Sequence, residues 1–168
     1  DSPLRDQVTC AAASLLSGAR ARRWPIVHVR IAFRADGADI VQNCALFRAV
    51  AASGAVREGS WGAAFLDALG PDKESLREWT VTHSRVNAFY GTSLDEMLRH
   101  CGATRLIVAG VATHSVVEST VRHAADMGYD VWVPGDACAA ADPAIHAASL
   151  ANMQLIATVS GVTQCLAS

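Results

Sequence analysis

The sequence predicts a three-layer α/β domain built on a mostly parallel β-sheet. Short β-branched or apolar runs alternate with longer segments of helical character, and the connections between them are short. The run 106–110 is continuously apolar, which is typical of a parallel strand covered on both faces. With 168 residues, of which 51% are hydrophobic, the chain is predicted to form a single domain over residues 1–168.

The N-terminal half alternates helix and strand. An Ala- and Leu-rich stretch predicts the first helix, and the β-branched run after Pro25 predicts the first strand. Asp36-Gly37 marks the loop over 34–43, and Gly54 ends the helix that follows it. The predicted elements are, in chain order, a helix over 4–22, a strand over 26–31, a helix over 44–53, a short helix over 62–69 and a strand over 79–82.

Clearer helix signals mark the C-terminal half. Ser93, followed three residues later by Glu96, predicts a capping box for a helix that reaches Cys101 and stops at Gly102. The remaining predicted elements are a strand over 106–109, a helix over 114–127, a strand over 130–133, a helix over 143–154 and a short strand over 156–159.

Composition excludes several classes of protein. The formal net charge is −2, from 14 basic and 16 acidic residues, so we expect neither nucleic acid nor a membrane as a partner. The chain has no run of 18 apolar residues for a transmembrane helix and no visible signal peptide. Its five cysteines are an odd number, widely spaced and without a CxxC pair, so a disulfide scaffold is not expected and the cytoplasm is the simpler location.

Three segments follow predicted strands and are candidates for the site, because ligands bind beyond the carboxyl ends of open parallel sheets. They are residues 83–92, 110–120 and 135–138. In the second, a strand ends in Gly110 and a helix opens near Thr113, where backbone N–H groups can hold an oxyanion or a carboxylate. A plain strand–turn–helix connection with Thr113 as N-cap explains the same spacing, so both interpretations stay open.

Ordered motifs in these segments carry a family resemblance. The motifs are Asn87-Ala88-Phe89, Gly91-Thr92-x-Leu94, Gly110-Val111-Ala112-Thr113, Val117-Glu118-Ser119-Thr120, Gly128-Tyr129 and Asp136-Ala137-Cys138. On these motifs the chain resembles the isochorismatase-like, or cysteine hydrolase, superfamily, which includes nicotinamidases and N-carbamoylsarcosine amidases. The run 24–30 is also similar to the second strand of that family. The resemblance covers nearly the whole chain and implies a Rossmann-like sheet.

The catalytic residues implied by the resemblance are altered in this chain. The family uses an Asp on its first strand, a Lys after its third strand and a Cys at the start of a helix. The Asp and Lys help to form a thiolate that attacks a carbonyl carbon. The Cys position is Val116 and the Lys position is His83, while the only lysine, Lys73, lies ten residues upstream of position 83. No counterpart of the Asp-bearing strand is present, and no apolar strand precedes Asp1, so Asp1 is not assigned that role.

That strand lies in the middle of the sheet in the resembled family, whose strand order is 3-2-1-4-5-6. Without it, a gap separates the predicted strands 26–31 and 106–109. Unpaired backbone groups inside a core cost a few kcal/mol each. We therefore expect a segment upstream of Asp1 to complete the sheet.

Val116 and His83 each allow two interpretations. Val116 is either a packing residue in a degenerate site or the mark of a hydrolase that needs no thiol. Isochorismatases cleave a vinyl ether by protonation and addition of water, with the first-strand Asp as general acid. His83 is either a hydrogen-bonding or cationic substitute for the lysine, or a loop histidine bonded to the backbone.

Four other residues are weighed as catalysts and set aside. His114 and Ser115 are neighbours, but consecutive helical side chains point about 100° apart, so a Ser–His nucleophile is not expected. Cys138 lies in the Asp-Ala-Cys turn, where the Cys of the resembled family is not the attacking thiol, and we expect it to be buried. Asp136 is expected to be a turn or cap residue.

The resemblance also implies the groups that bind substrate. It implies a cis peptide bond between Val111 and Ala112, and an oxyanion hole made by the backbone N–H groups of Ala112 and Val116. The other predicted groups on the substrate side are Asn87, Phe89 and Val111, with Phe33 and Trp61 as further candidates for the pocket wall.

Neither a metal nor a cofactor is predicted. Residues 32–47 contain Asp36 and Asp39 but no histidine, and the glycines form no dinucleotide fingerprint. The leading hypothesis is a small-molecule hydrolase from a cysteine-free branch of the resembled family, acting on a vinyl ether or another small carboxylate. The alternative is a catalytically inactive binding or assembly protein on the same fold. The resemblance further implies a homo-oligomer.

Overall fold

The computed structural model describes residues 3–167, which form helices and parallel strands in alternation. The helices are α1 (Pro3–Ala21), α2 (Ala45–Ser53), α3 (Leu94–His100), α4 (Glu118–Asp126), α5 (Pro143–Met153) and α6 (Val162–Ala167). The strands are β1 (Ile26–Ile31), β2 (Glu78–His83), β3 (Arg105–Ile107), β4 (Gly110–Val111), β5 (Asp130–Pro134), β6 (Cys138–Ala139) and β7 (Thr158–Ser160).

Strand pairing within residues 3–167 is parallel throughout. β1 and β2 pair in register from Ile26 opposite Glu78 to Ile31 opposite His83. β5 lies between β3 and β7, and the short strand β4 pairs with β6. The predicted α/β class is therefore confirmed. In this part of the chain β1 and β3 are not paired with each other, so one edge of each strand has no ladder of hydrogen bonds.

Two hydrophobic cores hold the elements together. The main core includes Val121 of α4, Val133 of β5 and Met153 of α5, which are completely buried. Burying each such side chain contributes about 1.5–3 kcal/mol. A smaller core packs the loop after β1 onto α2, where the rings of Phe33 and Phe47 meet edge to face with centroids 6.1 Å apart. The helices that follow the carboxyl ends of the strands are thus fixed in place by packing.

A buried carboxylate joins α1 to the start of β2. The Glu78 side chain is 3% exposed and accepts hydrogen bonds from Arg20 at 2.8 and 2.9 Å. Glu78 Oε2 also lies 2.9 Å from His28 Nε2 and accepts the backbone N–H of Asp72. The Arg20 guanidinium is the largest cause that lowers the pKa of Glu78 from 4.5 to about 2. This charged cluster holds the C-terminal end of α1 against the amino end of β2.

The short helix predicted over 62–69 is wrong. That segment forms two separate 3₁₀ turns, Trp61–Ala63 and Asp67–Leu69. Between them, Ala64 and Leu66 have extended backbones, with ψ angles of 152° and 139°.

The capping box predicted at Ser93 is also wrong. Ser93 makes no side-chain capping bond, and its backbone (φ −85°, ψ 13°) is not in the extended conformation of an N-cap. Instead, Thr92 Oγ1 accepts the N–H of Leu94 and donates to the Ala88 carbonyl oxygen at 2.6 Å. The hydroxyl that organises the start of α3 therefore belongs to the preceding residue.

The strand predicted over 106–109 ends two residues early in the structure. β3 ends at Ile107, and β4 begins at Gly110, whose φ of 133° lies in the region that favours glycine. Three elements, β4, β6 and α6, were not predicted. They are two, two and six residues long, and such short elements carry little periodicity.

Candidate active site

The candidate site lies at the carboxyl ends of β2 and β4. β2 ends in His83, and β4 leads into the turn that starts α4. Two hydrogen bonds join the segment after β2 to α4: Asn87 Nδ2 donates to the Ser119 carbonyl oxygen at 2.8 Å, and the Ala88 N–H donates to Thr120 Oγ1 at 3.2 Å. The structure therefore brings together residues 83–92 and 110–120, as the order of the strands predicts.

His83, which the resemblance assigns to the family's lysine position, is 5% exposed. Its Nδ1 lies 2.6 Å from the carbonyl oxygen of Arg85, which can only accept a hydrogen bond, so Nδ1 carries a proton. Burial lowers the pKa of His83 below 6.5, and the Arg85 carbonyl only partly opposes this shift. At neutral pH, His83 is a neutral imidazole with a lone pair on Nε2. This nitrogen makes no hydrogen bond within the residues that the structure describes.

The turn after β4 contains the cis peptide bond that the resemblance implies. The Val111–Ala112 bond is cis. The carbonyl oxygen of Ala112 accepts the N–H groups of Ser115 and Val117, at 3.1 and 3.3 Å. Residues Thr113–Val117 form a π-helical turn that continues into α4. The donor role of the Ala112 and Val116 N–H groups toward an oxyanion stays a prediction.

Thr113 does not act as the N-cap of this helix, so that interpretation is wrong. The N-cap position is Ala112, and Thr113 is completely buried. Thr113 Oγ1 lies 2.9 Å from His146 Nδ1 on α5. Because the hydroxyl is engaged with a partner 33 positions away in the chain, it is not available to the first backbone N–H groups of the turn.

Val116, which the resemblance assigns to the family's cysteine position, lies within the π-helical turn. Its side chain is half-buried and packs against the main hydrophobic core. A hydrocarbon side chain has no electron pair for nucleophilic attack. Nearby, no hydrogen bond joins Ser115 to His114 within residues 3–167, as expected for consecutive residues of a helical turn.

A cluster below the turn was not predicted from the sequence. Ser149 Oγ lies 2.5 Å from Glu118 Oε2 and 3.3 Å from the carbonyl oxygen of Thr113. Arg122 also donates to Glu118, at 2.7 Å. Burial alone would raise the pKa of Glu118, but the hydrogen bonds from Ser149 and Arg122 outweigh it and the pKa is lowered. The i,i+4 spacing of Glu118 and Arg122 was visible in the sequence, whereas nothing there indicated Ser149.

Asn87 and Phe89 contact the scaffold. Besides its bond to α4, Asn87 accepts the N–H of Phe89 through Oδ1, at 2.8 Å. Phe89 is 8% exposed, and its ring stacks on His123 with centroids 4.9 Å apart. Of the further candidates for the pocket wall, Phe33 belongs to the smaller core and Trp61 is 90% exposed. Substrate contact by Asn87 and Phe89 stays a prediction.

Arg85 is a second residue that was not predicted from the sequence. It is half-buried, and its Nη1 donates to the carbonyl oxygen of Ser84 at 2.6 Å. It is the only arginine or lysine within residues 83–92, and it lies two positions after His83. A lone cation directly after a parallel strand was the signal that could have identified it.

Cys138 and Asp136 have the structural roles expected of them. Cys138 is 2% exposed, and burial raises the pKa of its thiol from 9.0 to about 11. The thiol therefore stays protonated at neutral pH. Both carboxylate oxygens of Asp136 accept the N–H of Val162, at 3.0 and 3.2 Å, and thus cap the start of α6.

The side chains of residues 3–167 form no metal-binding cluster. In this range, no group of three or more His, Cys, Asp or Glu side chains is arranged to hold a metal ion. None of the helices in this part of the chain is long and apolar enough to cross a membrane. Asp1 lies outside the described residues.

Comparison with known proteins agrees with this geometry. The family model described as the isochorismatase domain matches residues 1–164. The chain belongs to the isochorismatase family. A structure of an isochorismatase family protein from Desulfovibrio vulgaris superposes with a TM-score of 0.85 at 30% identity, covering 96% of this chain and 85% of that one. The isochorismatase-like fold predicted from the motifs is therefore confirmed.

Two named relatives match at the sequence level. An uncharacterized isochorismatase family protein, YecD of Escherichia coli O157:H7, is 32% identical over 164 residues, which are 96% of this chain and 82% of that protein. A probable inactive nicotinamidase of Arabidopsis thaliana is 36% identical over 104 residues, covering 61% of this chain and 52% of that protein. The chain thus spans about half the length of the Arabidopsis relative.

Proposed function

We propose that this isochorismatase family chain is a small-molecule hydrolase that uses water directly, without a covalent cysteine intermediate. The observation that carries the proposal is the environment of His83. A buried, neutral imidazole with a free lone pair stands at the carboxyl end of β2, where the family has a lysine. A mechanism with a cysteine nucleophile is not supported, because residue 116 is Val and the thiol of Cys138 is buried and protonated.

His83 would act as a general base. Its Nδ1–H is directed at the Arg85 carbonyl, which fixes the tautomer and leaves Nε2 as the basic atom. A neutral base near the site can accept a proton from water as the water attacks the substrate. A cationic lysine, which has no lone pair, cannot do this.

The substrate would be a small carboxylate with a vinyl ether or a carbonyl group. For a carbonyl substrate, the backbone N–H groups of Ala112 and Val116 would face the negative charge that develops on the carbonyl oxygen, as the resemblance implies. The half-buried guanidinium of Arg85, two residues from His83, supplies a positive charge for a carboxylate. Protonation of a vinyl ether requires an acid, which would come from a strand that pairs with the free edges of β1 and β3.

The test is turnover of a panel of amides, carbamoyl compounds and vinyl ethers by the wild type and two histidine variants. His83→Ala is expected to lower kcat/KM by about 10²–10⁴-fold, the usual effect of losing a general base. The matched control, His114→Ala, removes an exposed histidine beside the same turn and is expected to keep activity. Equal activity of His83→Ala and the wild type would overturn the proposal.

The pH profile provides a second readout of the same residue. The active form is the neutral imidazole, so kcat/KM should be flat at neutral pH and decrease on the acid side. Because burial lowers the pKa of His83, the midpoint of that decrease should lie below 6.5. An activity that instead increases as the pH is lowered through this range would show that the cationic form of His83 is required.

A binding protein without catalysis is the second candidate. The apolar Val116 favours it, and a relative of the chain carries the name probable inactive nicotinamidase. In that case the chain should bind small carboxylates saturably, with no turnover of any compound in the panel. Measurable turnover that depends on His83 would exclude this candidate.

A further inference from the structure

Two adjoining cavities lie at the amino ends of β1 and β2, whereas the candidate active site lies at the carboxyl end of β2. Their volumes are about 400 and 440 Å³. Arg23, Leu76 and Arg77 line both cavities, so the two meet along these residues. The other residues that line the second cavity are Pro25, Trp79, His100 and Cys101. We refer to the second cavity alone as the basic groove.

The lining of the basic groove carries positive charge from Arg23 and Arg77, and it contains no Asp or Glu. The adjoining cavity does contain carboxylates, Glu78 and Asp72, and both act electrostatically on Arg20, to which Glu78 is bound. An anion is therefore expected in the basic groove, whose lining holds Arg23 and Arg77 but no acidic residue.

The two arginine side chains of the groove have no other role within residues 3–167. Arg22 caps α1 by donating to the Gly18 carbonyl oxygen, and it lies over the ring of Trp24. Arg23 and Arg77, by contrast, make no side-chain hydrogen bond or ion pair in this part of the chain. Arg23 also has a φ of 57°, a left-handed conformation that is uncommon for residues other than glycine and asparagine. Both guanidinium groups are therefore available to a ligand.

The apolar part of the groove indicates a flat ligand. Trp79 lines the wall, and Leu76 is 94% exposed beside it. Apolar walls with a few convergent polar groups are typical of small-molecule sites, and 440 Å³ lies within their usual range of about 300–1,000 Å³. Guanidinium groups bind carboxylate and phosphate through paired N–H donors, and aromatic rings pack against indole.

We propose that the basic groove is a second ligand site of this protein, for a small aromatic anion. The carboxylate or phosphate of the ligand binds Arg23 and Arg77, and its ring lies against Trp79. The proposal is independent of the reaction assigned to the candidate active site, because the groove and His83 lie at opposite ends of β2.

Calorimetric titration of the purified chain with phenyl phosphate, benzoate, inorganic phosphate and benzyl alcohol tests the proposal. Phenyl phosphate or benzoate should bind with saturation, benzyl alcohol should not bind, and inorganic phosphate should bind more weakly than phenyl phosphate. Arg23→Gln and Arg77→Gln should each raise Kd about tenfold or more. The control Arg48→Gln, which removes an exposed arginine outside the groove, should leave Kd unchanged.

Binding in the active site instead is distinguished by two further measurements. His83→Ala should leave the affinity unchanged, and bound phenyl phosphate should protect Cys101 from maleimide, measured by peptide mass spectrometry. Absence of saturable binding at millimolar concentration would overturn the proposal. Affinity that is lost in His83→Ala but kept in Arg23→Gln and Arg77→Gln would also overturn it. Thermal melting of each variant shows whether it is folded.

Discussion

The position of His83 can be predicted from the sequence, but its protonation state cannot. Its position at the end of β2 follows from the motif spacing, and the structure confirms that position. Its protonation state does not follow from the sequence. That state depends on burial and on the carbonyl oxygen of Arg85 at 2.6 Å, which only the folded backbone brings there.

Other residues of the site show the same limit. The sequence places Thr113 in the turn after β4, but not its bond to His146 on α5. Similarly, Ser149 reaches Glu118 from 31 positions away along the chain. Such contacts depend on how α5 packs against the turn, and no local pattern encodes that packing.

At Cys138, the buried thiol predicts resistance to alkylation. Because burial raises the pKa of this thiol to about 11, iodoacetamide at neutral pH should modify Cys138 far more slowly than the exposed Cys10. The rates can be compared by peptide mass spectrometry. Cys138→Ala should keep any hydrolase activity, and loss of turnover with full retention of folding would show that this thiol takes part in the reaction.

Among the secondary-structure elements, periodicity predicted the longer ones well and the short ones poorly. The strand predicted over 26–31 coincides with β1, and the helix predicted over 143–154 differs from α5 by one residue. The failures are short: the 3₁₀ turns near Trp61, and the strand before Gly110, which ends at Ile107. In these places, single hydrogen bonds and backbone angles decide the conformation, and hydrophobic patterns do not report them.

The link between α1 and β2 makes a prediction about acid stability. Because the folded pKa of Glu78 is lowered to about 2 from 4.5, its stabilising contribution is complete above pH 4.5. The contribution is lost as the pH falls from 4.5 toward 2. Glu78→Gln should lower the free energy of unfolding at neutral pH by about 1–3 kcal/mol and weaken its dependence on pH in that window. Urea denaturation at several pH values measures both effects.

A matched control for this prediction is Glu58→Gln. Glu58 also binds an arginine, Arg30 at 2.8 Å, but its side chain is 54% exposed. Exposed ion pairs contribute about 0–1 kcal/mol, so this variant should be almost as stable as the wild type. Equal losses in the two variants would contradict the distinction between buried and exposed carboxylates.

For the whole molecule, the main feature is the division of the strands into sets that do not pair. The backbone N–H groups of Ile26 and Ala32 donate to β2, at the carbonyl oxygens of Arg77 and His83. By the alternation of a parallel strand, the N–H groups of Val27, Val29 and Ile31 point to the opposite edge. In the described residues that edge has no partner strand.

Amide hydrogen exchange measured by NMR on the 168-residue chain tests this arrangement. We expect the amides of Val27 and Val29 to exchange faster than those of His28 and Arg30, since only the latter pair donate to β2. The alternation itself is the readout, because a strand that merely frays would lose protection at consecutive positions. Uniform protection along β1 would show that its second edge is covered.

The free edges of β1 and β3 also affect how the chain behaves in solution. A strand with unpaired N–H and C=O groups is a template for pairing with another molecule, and natural proteins usually cover or charge such edges. In this chain the edge of β1 includes Val29, which is 38% exposed and apolar. Nothing on that side chain repels an incoming strand. While these edges are uncovered, we therefore expect the chain to aggregate faster as the protein concentration rises.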